Sequence, residues 1–220
     1  MFAYPERAQV NRVLPKNKVY GHTEPSRALR QRFVTQVEEI VWRYKLAPAT
    51  LSLPASSEVK EIQVFSIALR TAELKEEILR TLDRAIPSLL FFELSFQGKV
   101  RFGAAYKRVS EAAHDKRVVA AYYLTPWQDA TVPREPLPLA IDMAGLYEQM
   151  LHRHMLSFGL RARAGETLAE TAERGSRIRS QELVCQRLEA KLRREPQFNR
   201  KVEINVELRQ ARARLEELRQ

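Results

Sequence analysis

The sequence predicts an α+β fold: a small, mostly antiparallel four-stranded sheet with two helices, followed by a helical region that ends in a coiled-coil-like hairpin. Three observations predict it. Four short stretches between residues 61 and 124 are rich in apolar residues that run together or alternate. Two stretches, one before them and one among them, repeat apolar residues at helical spacing. Near the C-terminus, apolar residues recur in steps of three and four, so two helices must pack against another helix.

The first elements are a polar lead, a helix, a strand and a second helix. Residues 1–26 contain proline and glycine breakers, and we expect them to be extended. Ser26 can cap a helix over residues 27–46. A strand follows at residues 61–69, and Thr71 then caps a second helix that ends before the next proline. The apolar face of the first helix would be formed by Leu29, Phe33, Val37, Ile40, Val41 and Tyr44.

Three further strands are expected to form a meander. Residues 89–96 are almost wholly apolar, which favours a central place in the sheet. Gln97 and Gly98 make a tight turn into residues 100–107, where apolar and polar side chains alternate. A turn near residues 111–116 leads to the last strand at residues 118–124. The helices are expected on one face of this sheet.

The chain is expected to change character after residue 125. A domain over residues 1–125 would be joined by a proline-rich linker, residues 126–138, to a helical region, residues 139–220. Helices are expected at residues 139–158, 166–194 and 197–219, and the last two would form a hairpin over about residues 176–220.

The hairpin has a leucine-lined seam, with Cys185 as a small buried residue. We expect this seam either to close within the chain or to pair with helices of a partner, which would be a larger subunit or a second copy. The residues expected to dock such a partner are Leu188, Leu192, Ile204, Leu208 and Leu215.

The net charge of +10 is segregated. Residues 1–50 and residues 161–220 each carry an excess of five basic residues, whereas the middle of the chain is balanced. Basic ends suit a polyanion such as nucleic acid, because neutralised phosphates release counterions. The alternative is that the arginines pair with glutamates and keep the surface soluble. Seven cationic or aromatic residues are candidates for contact with nucleic acid or a partner: Arg12, Lys16, Lys18, Trp42, Lys45, Arg101 and Lys107.

Composition argues against several classes of protein. A single cysteine allows no internal disulfide and no cysteine-rich zinc site. No apolar run reaches the ~20 residues that span a bilayer, and the first residues lack the apolar stretch of a secretory signal. We therefore expect a cytoplasmic protein that binds no membrane.

Catalytic and metal-binding patterns are sparse, and we expect no catalytic residue, metal or cofactor. The chain has no phosphate-binding glycine loop and no nucleophile elbow. Glu58 and Lys60 have the local form of a nuclease half-site, but no strand or aspartate precedes them. Glu93 is expected to be an inward polar group paired with a basic residue. His152 and His154 lie two residues apart on a helix and so face different directions.

Several stretches together resemble the bacterial domain-of-unknown-function family 4391. These are Asn-Arg-Val-Leu-Pro-Lys-Asn-Lys at residues 11–18, Ile-Val-Trp-Arg-Tyr-Lys-Leu-Ala-Pro at residues 40–48 and Asp-Arg-Ala-Ile-Pro at residues 83–87. Ala-Tyr-Lys at residues 105–107 and Gln-Phe-Asn-Arg-Lys-Val-Glu-Ile-Asn at residues 197–205 belong to the same pattern. The family has no established activity, and its members look like companions of helicases and DNA methyltransferases in bacterial defence or restriction-like gene clusters.

The first hypothesis is a non-catalytic accessory subunit of a bacterial DNA-processing anti-phage defence or restriction-like system. It would bind a partner helicase or methyltransferase and also contact nucleic acid. One alternative is a metal-dependent nuclease with an atypical site around Glu93, Glu58 and Lys60. Another is a purely protein-binding scaffold, which predicts no retention of DNA at low salt.

Overall fold

The computed structural model describes residues 1–109, 117–157, 160–161 and 163–220. The chain divides into two compact units, Met1–Gly159 and Leu160–Gln220. The first unit therefore extends beyond the predicted proline-rich linker and includes the helix that follows it.

The described part of the first unit contains nine strands, five α-helices and one short 3₁₀ helix. A short 3₁₀ helix, Glu6–Ala8, precedes its second strand. Its strands are β1 (Phe2–Ala3), β2 (Gln9–Val13), β3 (Val37–Leu46), β4 (Ile62–Leu69), β5 (Leu89–Phe96), β6 (Lys99–Val109), β7 (Arg117–Leu124), β8 (Gln128–Asp129) and β9 (Glu135–Pro136). Its helices are α1 (Lys16–Thr23), α2 (Arg27–Gln36), α3 (Pro48–Leu51), α4 (Glu76–Ala85) and α5 (Met143–Ser157).

The main sheet is mixed and has seven strands, in the order β2-β3-β4-β5-β6-β7, with β8 added beside β6. Strands β4 and β5 are parallel and are joined through α4, whereas the other neighbours in this sheet are antiparallel. Strands β1 and β9 form a separate parallel pair. The α+β class is thus confirmed, but the predicted four-stranded sheet is too small.

The predicted helix over residues 27–46 is wrong in its second half. Ser26 caps α2 as expected, since its Oγ accepts a hydrogen bond from the Leu29 N–H at 3.3 Å. The helix ends at Gln36, and the next ten residues form β3. This stretch is rich in β-branched and aromatic residues, and pairing with β2 and β4 on both sides decides its conformation.

Two other local predictions need correction. Residues 1–26 are not simply extended, because they contain β2 and the two-turn helix α1. Thr71 does not cap the second helix: α4 begins at Glu76, and the Thr71 hydroxyl instead donates to the Glu73 carbonyl at 2.8 Å.

The predicted meander of β5, β6 and β7 is confirmed. β5 lies between β4 and β6, and its first six residues are buried. Gln97 and Gly98 both have positive φ angles, 46° and 75°, as a two-residue hairpin turn between right-twisted strands requires. The turn expected near residues 111–116 lies outside the described residues.

Helices cover both faces of the main sheet, not one. On one face, α1, α2 and α4 contribute Val19, Phe33 and Leu82 to a core with Phe92. The next residue back along β5, Phe91, points to the opposite face. There its ring meets the ring of Tyr147 on α5 at 5.9 Å between centroids. The α5 helix begins at Met143, and the predicted end at residue 158 lies outside the described residues.

The second unit is a helical hairpin of α6 (Leu168–Arg194) and α7 (Phe198–Arg219). Thr167 caps α6, and its backbone N–H donates a hydrogen bond to the Glu170 carboxylate. Near the start of α6, the Arg174 guanidinium donates a hydrogen bond to the Glu166 carboxylate at 2.7 Å, which lowers the pKa of Glu166 to about 2.

Candidate nucleic-acid interface

Strand β2 forms one edge of the main sheet and brings two of the predicted residues together. Arg12 lies directly opposite Trp42 across the β2–β3 pair. The Trp42 ring stacks on Phe65 at 6.4 Å between centroids and donates its indole N–H to the Tyr44 carbonyl at 3.1 Å. Trp42 is therefore half-buried and packs against the sheet, whereas Arg12 is exposed on the edge strand.

Lys16 and Lys18 follow β2 at the start of α1. Lys16 donates from Nζ to the Val37 carbonyl at 2.6 Å, and this contact fixes the ammonium group beside the end of α2. Burial lowers the pKa of Lys16, and the nearby Arg70 adds to this effect, whereas Glu38 opposes it. Arg70 is thus near enough to Lys16 to act on its charge. Lys18 is exposed two residues further along α1.

A surface groove of about 550 Å³ runs beside these cations. Its lining includes Lys16 and Asn17 as well as the two acidic residues Glu38 and Glu39. The groove therefore carries mixed charge. The cations Arg12, Lys18 and Arg70 lie at the surface and not among the residues that line it, and no described residue forms an ion pair with them. We call these three residues, with Lys16, the basic edge.

Lys45 lies towards the far end of β3 and is engaged in a separate polar network. Its Nζ is 2.8 Å from Glu61 Oε2. Ser88 and Gln63 donate hydrogen bonds to the other oxygen of Glu61. Burial alone would raise the pKa of Glu61, but these three donors together lower it. Lys45 is therefore not part of the basic edge.

Arg101 and Lys107, two of the predicted contact residues, do not form an open cationic surface, because the face of the sheet on which they lie is covered. Lys107 is buried, and its Nζ lies 2.6 Å from Asp83 Oδ1 on α4 and 3.0 Å from the Ser88 carbonyl. Burial raises the pKa of Asp83 despite this cation. Arg101 packs over the Trp127 ring at 4.5 Å, and burial lowers its pKa. Both residues serve the packing of the first unit.

The residues of the nuclease alternative are not gathered into one site. Glu93 is buried in β5 and accepts two hydrogen bonds from Arg134, at 2.8 and 3.0 Å, as expected for an inward paired carboxylate. Glu58 and Lys60 line a different pocket, of about 320 Å³, together with Glu61. Among the described residues, no group of three or more His, Cys, Asp or Glu side chains is placed to hold a metal ion.

His154 gives the first unit a buried, uncharged imidazole. It lies on α5 among the rings of Phe2, Phe91 and Phe102, with centroid distances of 5.5, 5.2 and 5.3 Å. Burial, with a contribution from the amino terminus, lowers the pKa of His154 to about 3. Its role is in packing, as its neighbours are aromatic rings.

The hairpin seam is closed within the chain, so the predicted docking residues are already in contact with their own hairpin. Ile204, Leu208 and Leu215 are buried, and Cys185 is buried opposite them, as expected. Gln181 crosses the seam and donates to the Ala211 carbonyl at 2.9 Å. Leu188 and Leu192 are half-buried in α6. A role for these five leucine and isoleucine residues in docking a partner would require the hairpin to open.

Sequence reasoning missed two cations, for different reasons. Arg70 lies just after β4 and joins the basic edge only because the sheet places β3 beside β4. Arg134 comes from the linker and reaches Glu93, which is 41 positions earlier in the chain. The exposed residues Phe198, Val202 and Val206, in contrast, are spaced by four and could have been found from the sequence.

The family described as Domain of unknown function (DUF4391) matches residues 2–215, nearly the whole chain. The chain belongs to this family. No curated protein and no solved structure matches it. The description of DUF4391 names no activity, so the function of this DUF4391 chain has to be argued from its own surfaces. Within the part of the chain that the structure describes, no helix is long and apolar enough to cross a membrane.

Proposed function

We propose that this chain is a non-catalytic accessory subunit of a bacterial DNA-processing defence or restriction-like assembly. It contacts nucleic acid through the basic edge and binds a larger partner, a helicase or DNA methyltransferase, through the first unit. The family match covers nearly the whole chain but names no partner. The partner class rests on what the resemblance implies, namely that members of this family accompany such enzymes.

The observation that carries the nucleic-acid part is the arrangement of the basic edge. Lys16 is held by a backbone carbonyl with Arg70 close enough to lower its pKa, and two more cations, Arg12 and Lys18, are exposed nearby. Like charges held together repel each other, so an anion placed between them is stabilised. Phosphates of a nucleic acid are suitable anions because they are regularly spaced and release counterions on binding.

The non-catalytic part rests on how three buried or half-buried carboxylates are used. Glu93 is neutralised by Arg134, Asp83 by Lys107, and Glu61 is 2.8 Å from a lysine ammonium. A carboxylate that is already paired with a side-chain cation has little capacity to bind a divalent metal ion. These carboxylates stabilise the fold.

The partner-binding part rests on two exposed apolar residues in the segment before α5. Leu139 and Ile141 are 92% and 91% exposed. Single exposed apolar residues are common on protein surfaces, but two neighbours with nearly complete exposure favour burial against another protein. We assign them to the contact with the helicase or methyltransferase.

The test of the basic edge compares two variants with equal loss of charge. The edge variant carries Arg12→Gln, Lys18→Gln and Arg70→Gln. The control removes three arginines that form ion pairs along the hairpin: Arg177→Gln, Arg212→Gln and Arg219→Gln. Binding of duplex DNA is measured by fluorescence anisotropy between 50 and 200 mM salt. We expect the edge variant to bind more weakly, with a salt slope reduced by about 2.7, because three phosphate contacts are lost. Equal binding by the two variants would show that the basic edge does not contact DNA.

A nuclease assay tests the non-catalytic part of the proposal. Purified protein is incubated with plasmid DNA and Mg²⁺ or Mn²⁺. Cleavage that disappears in Glu93→Gln would establish the nuclease alternative and refute the non-catalytic role.

The partner-binding part is tested by co-expression with the neighbouring helicase or methyltransferase. We expect Leu139→Ser with Ile141→Ser to abolish co-purification. Undiminished co-purification would show that these two residues do not form the contact.

A further inference from the structure

The loop between α6 and α7, with the helix ends beside it, concentrates positive charge. This segment, residues 191–201, is called the hairpin tip. It holds five basic residues and one glutamate, whereas the other positions of residues 161–220 hold ten basic and nine acidic residues. Nearly all the net charge of this unit therefore lies at one end of the hairpin. The basic residues are Lys191, Arg193, Arg194, Arg200 and Lys201.

Three arginines along the rest of the hairpin are neutralised by glutamates, unlike the basic residues at the tip. Arg177, Arg212 and Arg219 each form an ion pair with a glutamate, at 2.6, 2.8 and 2.7 Å. In the described part of the chain, by contrast, no ion pair or side-chain hydrogen bond engages the five cations of the hairpin tip. Four of the five are exposed, and Lys201 is half-buried. The tip thus presents positive charge that the fold itself does not neutralise.

Helix stability explains only part of this arrangement. Cations in the last turn of α6 are favourable, because a helix carries partial negative charge at its C-terminal end. Arg200, however, lies in the first turn of α7, where the helix end is partially positive, and Lys201 follows it. This first turn contains no acidic residue. Both cations oppose the helix dipole, so their position is better explained by a ligand than by stability.

An aromatic ring stands among these cations. Phe198, the first residue of α7, is 77% exposed. An exposed phenylalanine leaves a large apolar surface in water, and its flat face can accept a stacked base. Phe198 is followed by Asn199 and then Arg200, so one short segment offers both a stacking surface and a phosphate contact.

We propose that the hairpin tip binds single-stranded nucleic acid. The phosphodiester backbone lies along Arg193, Arg194 and Arg200, and one unpaired base stacks on Phe198. An anionic membrane fits less well: the tip offers one ring for insertion, and Glu203 follows shortly after Lys201. This site lies in the second unit and does not depend on the basic edge of the first.

The test uses the full chain and a fluorescently labelled 20-mer, as single-stranded DNA and as RNA of the same sequence. The tip variant carries Arg193→Gln, Arg194→Gln and Arg200→Gln, and its matched control carries Arg177→Gln, Arg212→Gln and Arg219→Gln. We expect the salt slope of the tip variant to fall by about two, because single strands lose about 0.7 per phosphate contact. The edge variant described above should retain the tip's contribution to binding.

Phe198 separates stacking from charge. Phe198→Ala should weaken binding of the single strand about tenfold, and Phe198→Trp should preserve it. Neither substitution should change binding of a duplex of the same sequence. Comparing the affinities for the DNA and RNA 20-mers shows which nucleic acid is preferred. Circular dichroism checks that helix content is unchanged in each variant.

Four results would overturn the proposal. The first is equal loss of binding in the tip variant and its control, which would indicate a response to net charge alone. The second is competition by poly-glutamate as effective as that of the oligonucleotide at equal charge. The third is binding of phosphatidylserine vesicles by the chain with no binding of the single strand. The fourth is loss of binding in the edge variant alone, which would support the proposed function and refute binding at the hairpin tip.

Discussion

Lowering the pH from 7 to 5 should destabilise the first unit through His154. The buried ring has a pKa of about 3 in the folded chain, against 6.5 for an ordinary histidine. Between these two values, the unfolded chain binds a proton at this position and the folded chain does not. Stability therefore rises with pH across this window and is lost as the pH falls from 6.5 towards 3.

The expected loss follows from the distance between the working pH and the ordinary pKa. A pH of 5 is 1.5 units below the ordinary pKa of 6.5, and each unit corresponds to about 1.4 kcal/mol. His154 should therefore lower the free energy of unfolding by about 2 kcal/mol at this pH. His154→Phe should remove this part of the pH dependence, because a phenyl ring suits the aromatic surroundings and does not titrate. Carboxylates also contribute to acid destabilisation, but they are common to both proteins and cancel in the comparison.

Tryptophan fluorescence gives the appropriate readout. Both tryptophans, Trp42 and Trp127, lie in the first unit, so guanidinium unfolding followed at their emission reports on that unit alone. The matched control is His152→Phe, which changes a half-buried histidine one half-turn away on the same helix. It should keep the pH dependence of the wild type. If His154→Phe loses as much stability between pH 7 and pH 5 as the wild type does, the burial argument is incorrect.

Three further substitutions test the packing. Lys107→Met should cost about 3–5 kcal/mol in chemical unfolding, because it leaves Asp83 buried without its cation, and adding Asp83→Leu should recover most of that loss. Leu208→Asp should reduce the helix signal in circular dichroism, since it places a charge in the closed seam; Val206→Asp, at a half-exposed position, should not. Thr167→Ala should cost about 1 kcal/mol by removing the α6 cap, and serine at the same position should be neutral in a thermal melt.

The sequence was sufficient where a pattern had one interpretation and insufficient where it had two. β5 is almost wholly apolar and the apolar residues of α7 recur in steps of three and four, and both elements appear where they were predicted. The stretch after Gln36 has valine and aromatic residues at spacings compatible with either a helix face or a strand. Its conformation is determined by the strands on each side of it, and such long-range pairing has no local signal.

The same limit applies to the candidate site. Arg12, Lys16 and Lys18 could be identified as basic residues in one segment, and the structure keeps them on one edge. Lys107 looks equivalent in the sequence, yet it is buried because α4 covers that face and supplies Asp83 as its partner. Whether a cation is free for a ligand depends on which acidic group the fold places beside it. That placement is a tertiary property.

The closed hairpin seam changes how association by this chain should be understood. Apolar steps of three and four predict that a helix has a partner, but they do not say whether the partner belongs to the same chain. Here α7 finds it in α6, so Leu208 and its neighbours stabilise the hairpin and leave the outer face for other contacts. Val202 and Val206, each about half exposed, continue the line of Phe198 along that outer face. Exposed residues of this kind can be substituted with little effect on folding, which makes the outer face a more informative place than the seam to test how the chain associates.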